Sequence, residues 1–240
     1  MTVAIGHRGY TVVRGFARAL GISSARFPVV GAFADWARDP LESAQVFEGT
    51  FAAGTDPWNY LTSASEHERH CLALQLLDEA RGGRRFEQAL EIGSAEGIFT
   101  ELLAARCESL LAFDYSNLAL ERARKRLAGQ QQVTFQRWDL RCEPIVGKFD
   151  LIVAMDVLTC IRRPGRLRIA YDKLVSGMLP GGLLLAGDFR FDRDFENSWW
   201  RKRFLHGGKW VIEALAAHPA LTTMKKAATD THVFALLRKK

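Results

Sequence analysis

Between residues 89 and 186, short apolar runs alternate with longer helical patterns, and most of the runs are closed by a glycine or an acid. No other feature restricts the fold as much. Residues 89–92 read as a strand stopped by Gly93, and 98–107 as a helix. Residues 110–113 are a strand closed by Asp114, and an alanine-rich helix follows over 117–127. Residues 133–136 are a strand before Trp138 and Asp139. Residues 149–154 form the most apolar strand. A helix over 166–178, halted by Pro180-Gly181-Gly182, leads to another buried strand at 183–186. Strand, helix and strand at these intervals predict βαβ units in a mostly parallel sheet. Continuous apolar strands predict helices on both faces. The rhythm changes at 221–228 and 233–238, which only the polar turn Thr229-Asp230-Thr231 separates. The last strand must then run antiparallel, as a hairpin on the sheet edge. The expected fold is α/β, a doubly wound seven-stranded sheet with the last strand antiparallel.

Residues 1–46 read as an N-terminal helical extension, and 47–240 as the domain. Arg8, Arg14 and Arg18 interrupt the apolar stretch that a secretory signal would need. Residues 41–49 are weakly helical. A helix over 66–81, with Cys71, Leu74, Leu76 and Leu77, ends at Gly82-Gly83. Hydrophobic residues make up 48% and charged residues 25%, a globular balance. The net charge of +6 is mild and spread along the chain, so it does not demand a nucleic-acid partner. Cys71, Cys107, Cys142 and Cys160 have no metal-ligand spacing. They are expected as reduced thiols of a cytoplasmic protein, with no metal site. No apolar run reaches the ~18 residues that span a bilayer, so no membrane partner is expected. Oligomeric state is left open.

The segment Leu90-Glu91-Ile92-Gly93-Ser94-Ala95-Glu96-Gly97-Ile98 carries the chemistry. A strand stops at glycine, a loop of small residues follows, and a helix begins. Small residues let a ligand lie against the backbone. The free helix N–H groups then face the crevice at the carboxyl edge of the sheet. Asp114, ending the second strand, is placed to accept from both ribose hydroxyls of an adenosine. Asp139, just past the third, is placed to accept from an adenine amino group. A dinucleotide loop G-x-G-x-x-G would need glycines where Ala95 and Ile98 stand, and no P-loop lysine is present. Glu91 and Glu96 are poor neighbours for a pyrophosphate. They suit a ligand with a sulfonium and an amino group, and Glu91 is expected to organise the loop and the methionine end.

The pattern E-x-G-x-x-x-G, an acid ending strand two and an acid after strand three resembles the class I S-adenosylmethionine methyltransferases, over roughly residues 85–240. That resemblance implies a Rossmann-like sheet and S-adenosylmethionine as cofactor. It departs at Ala95, where the family usually has glycine. Earlier, Asp56-Pro57-Trp58-Asn59-Tyr60 followed by Glu66 and Arg69 is similar to the lead-in of nodulation protein S-like methyltransferases, which N-methylate the free amine of a chitooligosaccharide. Ser65 stands where that family often has an aromatic residue. The resemblance implies that Trp58 covers or borders the cofactor. The expected cofactor contacts are Trp58, Glu91, Gly93, Ser94, Ala95, Gly97, Asp114, Tyr115, Asp139, Leu140 and Met155.

The expected reaction is methyl transfer to an amine or hydroxyl of a small molecule, sugar or natural-product-like. A hydroxyl acceptor needs a general base. Asp156, just after strand four, is the first candidate, followed by His67 or His70. The aromatic and basic stretch 189–210, with Trp199, Trp200, Trp210, Arg201, Lys202 and Arg203, reads as a lid helix bordering the acceptor, with His206 and Lys209 as further contacts. The competing readings are an RNA methyltransferase, drawing on that stretch, a protein that binds the cofactor without turnover, and an NAD oxidoreductase.

Overall fold

The computed structural model describes residues 40–161, 164–190 and 207–240, and Val46–Lys240 is one compact unit. Seven strands, β1 (Phe86–Ile92), β2 (Cys107–Asp114), β3 (Val133–Arg137), β4 (Phe149–Met155), β5 (Met178–Phe189), β6 (Leu221–Ala228) and β7 (His232–Lys239), form one sheet in the order β3-β2-β1-β4-β5-β7-β6. The first five are parallel to one another, and β7 runs antiparallel to both β5 and β6. The helices are α1 (Pro40–Ala53), α2 (Ala64–Arg81), α3 (Ile98–Ala104), α4 (Asn117–Arg126), α5 (Pro164–Gly177) and α6 (Gly208–Ala216), with a 3₁₀ turn over Leu158–Cys160. The expected extension before residue 40 lies outside the described residues, as do Trp199, Trp200, Arg201, Lys202, Arg203 and His206.

The pleat explains the apolar strands. Leu151, Val153, Leu183 and Leu185 point into one core with Leu76 and Leu77 of α2 and Phe99 and Leu103 of α3. Ile152, Leu184 and Ala186 alternate with them into a second core with Leu167 and Leu174 of α5 and Val211 and Ile212 of α6. Both faces are therefore covered, which is why no polar residue interrupts 151–155. The hairpin sits at the sheet edge as expected, but β7 lies inside it, and the outermost strand is β6. Lys225 and Lys226, exposed on β6, discourage further strand pairing there.

Several boundaries differ from the sequence reading, two of them where an expected helix end belongs to a strand. Cys107 opens β2 instead of closing a helix; α3 stops at Ala104. The polar pair Glu108-Ser109 is exposed at the start of the strand, so no apolar alternation announces it. Met178 likewise belongs to β5, and Pro180-Gly181-Gly182 lies in an irregular stretch of that strand, where the register against β4 shifts. Proline is tolerated there because a bulge leaves ladder groups unpaired. At the same amino end of the sheet, Asp150 accepts from the backbone N–H groups of Glu87 and Gln88 at 3.0 Å each and from Arg81 at 2.8 Å.

Candidate active site

Strand order reverses between β1 and β4, the place where open α/β sheets bind ligands beyond their carboxyl ends. A pocket opens there. It is lined by Glu91, Ile92, Gly93, Ser94 and Ala95 from β1 and its loop, Ile98 and Phe99 from α3, Val153 and Met155 from β4, and Tyr60, Arg69 and His70 from the lead-in and α2. The turn after β1 makes room by unusual backbone. Gly93 and Gly97 have φ of 83° and 80°, and a β-carbon on Gly93 would come within 2.5 Å of Val157 Cγ2. Ala95, with φ of 47°, adopts the left-handed conformation without being glycine, at a cost of about 1 kcal/mol. The methyl has space; the strain is in the backbone.

Asp114 is buried at the end of β2. Its Oδ2 accepts from Ala95 N and its Oδ1 from Ser116 N, both at 2.9 Å. A carboxylate offers about four lone-pair sites, so two remain for a ligand. Ser116 in turn caps α4 by accepting from Ala119 N. Glu91 lies in the pocket wall, buried, with Oε2 lacking a hydrogen-bond partner among the described residues; Ser94 Oγ and the Tyr115 hydroxyl are likewise buried and unpartnered. Buried polar atoms are normally satisfied. Glu91 and Ser94 line the pocket, where S-adenosylmethionine would engage their unpartnered oxygens, so the residues fit it. Glu91 suits its cationic amino-acid end, Arg69 its carboxylate and Asp114 its ribose.

Burial pushes the Glu91 carboxyl up to about 7, against weaker pulls from Thr100 and Arg69. Its contribution to folding is therefore full below the ordinary value of 4.5 and fades as pH rises through about 7. In urea unfolding of the free protein, wild type should lose roughly 2–3 kcal/mol more than Glu91→Gln between pH 5 and pH 8. Equal pH slopes would count against an acid that folding keeps protonated.

Asp139 is half-buried and already engaged: Arg141 Nε and Nη2 reach its two oxygens at 2.9 and 2.7 Å. The Arg141 guanidinium also lies over the Tyr115 ring at 5.3 Å. Leu140 is buried beside them. Trp58, Gly97, Asp114, Tyr115, Asp139 and Leu140 do not line the pocket itself. Two of them share an aromatic neighbour: Phe47 packs edge-on to Tyr115 at 5.4 Å and lies 6.1 Å from Trp58. Glu96, expected near the ligand, faces away. Its carboxylate accepts from Asp56 N at 2.7 Å and from Arg122 at 2.5 Å, pinning the lead-in to the loop.

The base candidates separate. His67 is exposed on α2 and is not a pocket residue, whereas His70 is buried in the pocket wall. Burial, then Arg69, pushes the His70 imidazole down to about 3, so it is neutral and accepts from Arg69 Nη2 at 2.9 Å. Asp156 follows β4 with φ of 56°, a left-handed position of the kind found at functional sites. It reaches the pocket through Arg69, whose Nη1 donates to Asp156 Oδ2 at 2.7 Å while Nε donates to Glu66 Oε2 at 2.7 Å. Burial would raise the Asp156 carboxyl, but Arg69 and then His232 outweigh it and hold it below the usual carboxylate range. Sequence reasoning did not assign Arg69, Tyr60 or Phe99 to the pocket wall, nor His232 to the surroundings of Asp156. Lys209 is exposed at the start of α6.

With this geometry in place, similarity to known proteins decides the family. Residues 40–226 match the family described as Nodulation protein S (NodS). The chain belongs to the NodS family. Nodulation protein S of Bradyrhizobium diazoefficiens is 35% identical over 149 residues, which cover 62% of this chain and 69% of that protein. Its counterpart from Sinorhizobium fredii is 34% identical over 135 residues, 56% of this chain and 61% of the relative. Among solved structures, the N-methyltransferase NodS from Bradyrhizobium japonicum WM9, in complex with S-adenosyl-L-homocysteine, superposes with a TM-score of 0.71 at 29% identity, covering 82% of this chain and 97% of that one. The seven-stranded sheet with its antiparallel β7 is thus the Rossmann-like methyltransferase fold expected from the sequence.

Proposed function

We propose that this NodS-family chain, an S-adenosylmethionine-dependent methyltransferase, transfers the methyl to an amine of a small molecule, sugar or natural-product-like, in the cytoplasm. The observation that carries the reading is the state of Asp156. A carboxylate held low by a guanidinium is a weak base, unfit to deprotonate a hydroxyl. It is well suited to hold an ammonium or amine by charge, and the proton that the ammonium must lose goes to solvent. Its Oδ1 is closed to solvent, so Oδ2, in a side chain 28% exposed, is the oxygen left for the acceptor.

When bound, S-adenosylmethionine supplies a methyl already activated on a sulfonium. The protein then has to position, orient and exclude water. Glu91, Ser94 and Asp114, on β1, its loop and β2, would hold the donor, and Phe99 and Met155 would help to exclude water from it. Arg69 spans the two halves of the site, with one nitrogen toward Asp156 and its guanidinium in the pocket wall. Free cysteines accord with a reducing compartment. Among the described residues no helix is long and apolar enough to cross a membrane.

Methyl-labelled S-adenosylmethionine should label a chitooligosaccharide bearing a free amine, and leave the fully N-acetylated one and an RNA pool unlabelled. Labelling of RNA or of a hydroxyl alone would replace this reading. Asp156→Asn keeps an oxygen for Arg69 but loses the charge. It should lower kcat/KM for the amine by about tenfold to a hundredfold, with cofactor affinity changed less than about threefold. Full activity would remove Asp156 from the acceptor site.

A further inference from the structure

The β6–β7 turn, Thr229 to Thr231, enters the site through His232. This imidazole is 2% exposed, and its Nε2 lies 3.2 Å from Asp156 Oδ1, at ion-pair distance but without the alignment of a hydrogen bond; that buried oxygen has no hydrogen-bond partner among the described residues. Its Nδ1 lies 2.8 Å from Thr231 Oγ1. The rings of Phe189 and Phe234 flank it at 5.3 and 6.4 Å.

Which nitrogen carries the proton follows from the hydroxyls. Thr229 Oγ1 accepts from two backbone N–H groups, Thr231 N at 3.2 Å and His232 N at 3.0 Å. Having accepted twice, it sends its own proton elsewhere, and Thr231 Oγ1 stands 3.4 Å away. Thr231, accepting from Thr229, turns its proton to His232 Nδ1. A neutral imidazole that accepts at Nδ1 bears its hydrogen on Nε2. Nε2 is the nitrogen that lies 3.2 Å from Asp156 Oδ1.

We propose that His232 is a positioning residue for methyl transfer. The Thr229–Thr231 hydroxyl chain fixes its Nε2–H tautomer, and the positive end of this N–H, 3.2 Å from Asp156 Oδ1, restrains the carboxylate by charge so that Oδ2 meets the acceptor in one orientation. The proposal rests on the amine-transfer reading above for the identity of the acceptor, and on this structure for the placement of the proton.

The test exploits side-chain shape. Gln places an amide N–H near the position of imidazole Nε2, whereas Asn places it near Nδ1. With S-adenosylmethionine and a chitooligosaccharide bearing a free amine, His232→Gln should stay within about threefold of wild-type kcat. His232→Asn and Thr231→Val should fall about tenfold, the worth of one buried hydrogen bond. Affinity for S-adenosylhomocysteine by calorimetry should be unchanged in all three. Equal activity of the Gln and Asn variants would overturn the proposal. Imidazole nitrogen NMR on the wild-type protein decides the point even if variants misfold or the amine is not a substrate. An Nε2–H signal for His232, lost from that nitrogen in Thr231→Val, supports the chain. A resting Nδ1–H tautomer refutes it. Absence of methylation with the Nε2–H signal present would overturn the amine-transfer reading and leave the placement of His232 standing.

Discussion

Replacing Asp114 by Ala should weaken S-adenosylmethionine binding about a hundredfold. The carboxylate has two duties, and Ala performs neither. It ties the loop after β1 to the end of β2 through Ala95 N, and it orders the start of α4 through Ser116 N. Its remaining lone pairs are the acceptors that we propose for ribose. Hydrogen bonds to a charged group contribute roughly 1.5–3 kcal/mol each, so losing two costs about 3 kcal/mol, or two decades in Kd. Asp114→Asn, with one oxygen left, should fall between. Calorimetric titration with S-adenosylhomocysteine reads both; a loss below about threefold in the Ala variant would mean the nucleoside lies elsewhere.

The second large effect is on folding itself. Arg69 is buried among Glu66, Asp156, His70 and the face of Tyr60. Removing one member of a buried ion network strands the others, at about 3–5 kcal/mol. Arg69→Met should therefore unfold in urea with a stability lower by roughly that amount. It should also bind the cofactor poorly, because the guanidinium is part of the pocket wall. Arg69→Lys keeps the charge but not the fork that reaches Glu66 and Asp156 together, so it should recover only part of the loss. Arg69→Met within about 1 kcal/mol of wild type would show that the network is not structurally coupled.

What the sequence made legible was whatever depends on burial along one element. The strand cores at 89–92, 110–113, 149–154 and 183–186 announced themselves because both sheet faces are covered. Their polar beginnings, Glu87-Gln88 and Glu108-Ser109, did not, because they lie exposed at the rim. Asp114 and Gly93 were legible because they terminate strands. Of the two candidate histidines, His70 lines the pocket and His67 does not, and the signal that separates them was present. Ala73, Leu76 and Leu77 set the buried stripe of α2, and stepping back along it reaches Arg69 and His70 and passes over His67. His232 was out of reach. Its role depends on β7 lying between β5 and β6, a fact about strand order that no local pattern contains. Ala95 was judged by the volume of one methyl, whereas its cost lies in φ, which a sequence shows only where glycine is demanded.

The clamp around Asp150 has a practical consequence. It joins β1, β4 and α2 at the end of the sheet remote from the crevice. Neighbouring pairs reinforce that end, with Arg106 on Asp78 at 2.6 Å and Arg85 on the Cys107 carbonyl. Chemistry and mechanical integrity are thus assigned to opposite poles of the same strands. An engineer seeking a hardier catalyst can rebuild the clamp pole freely, since substitutions there touch no group that meets donor or acceptor.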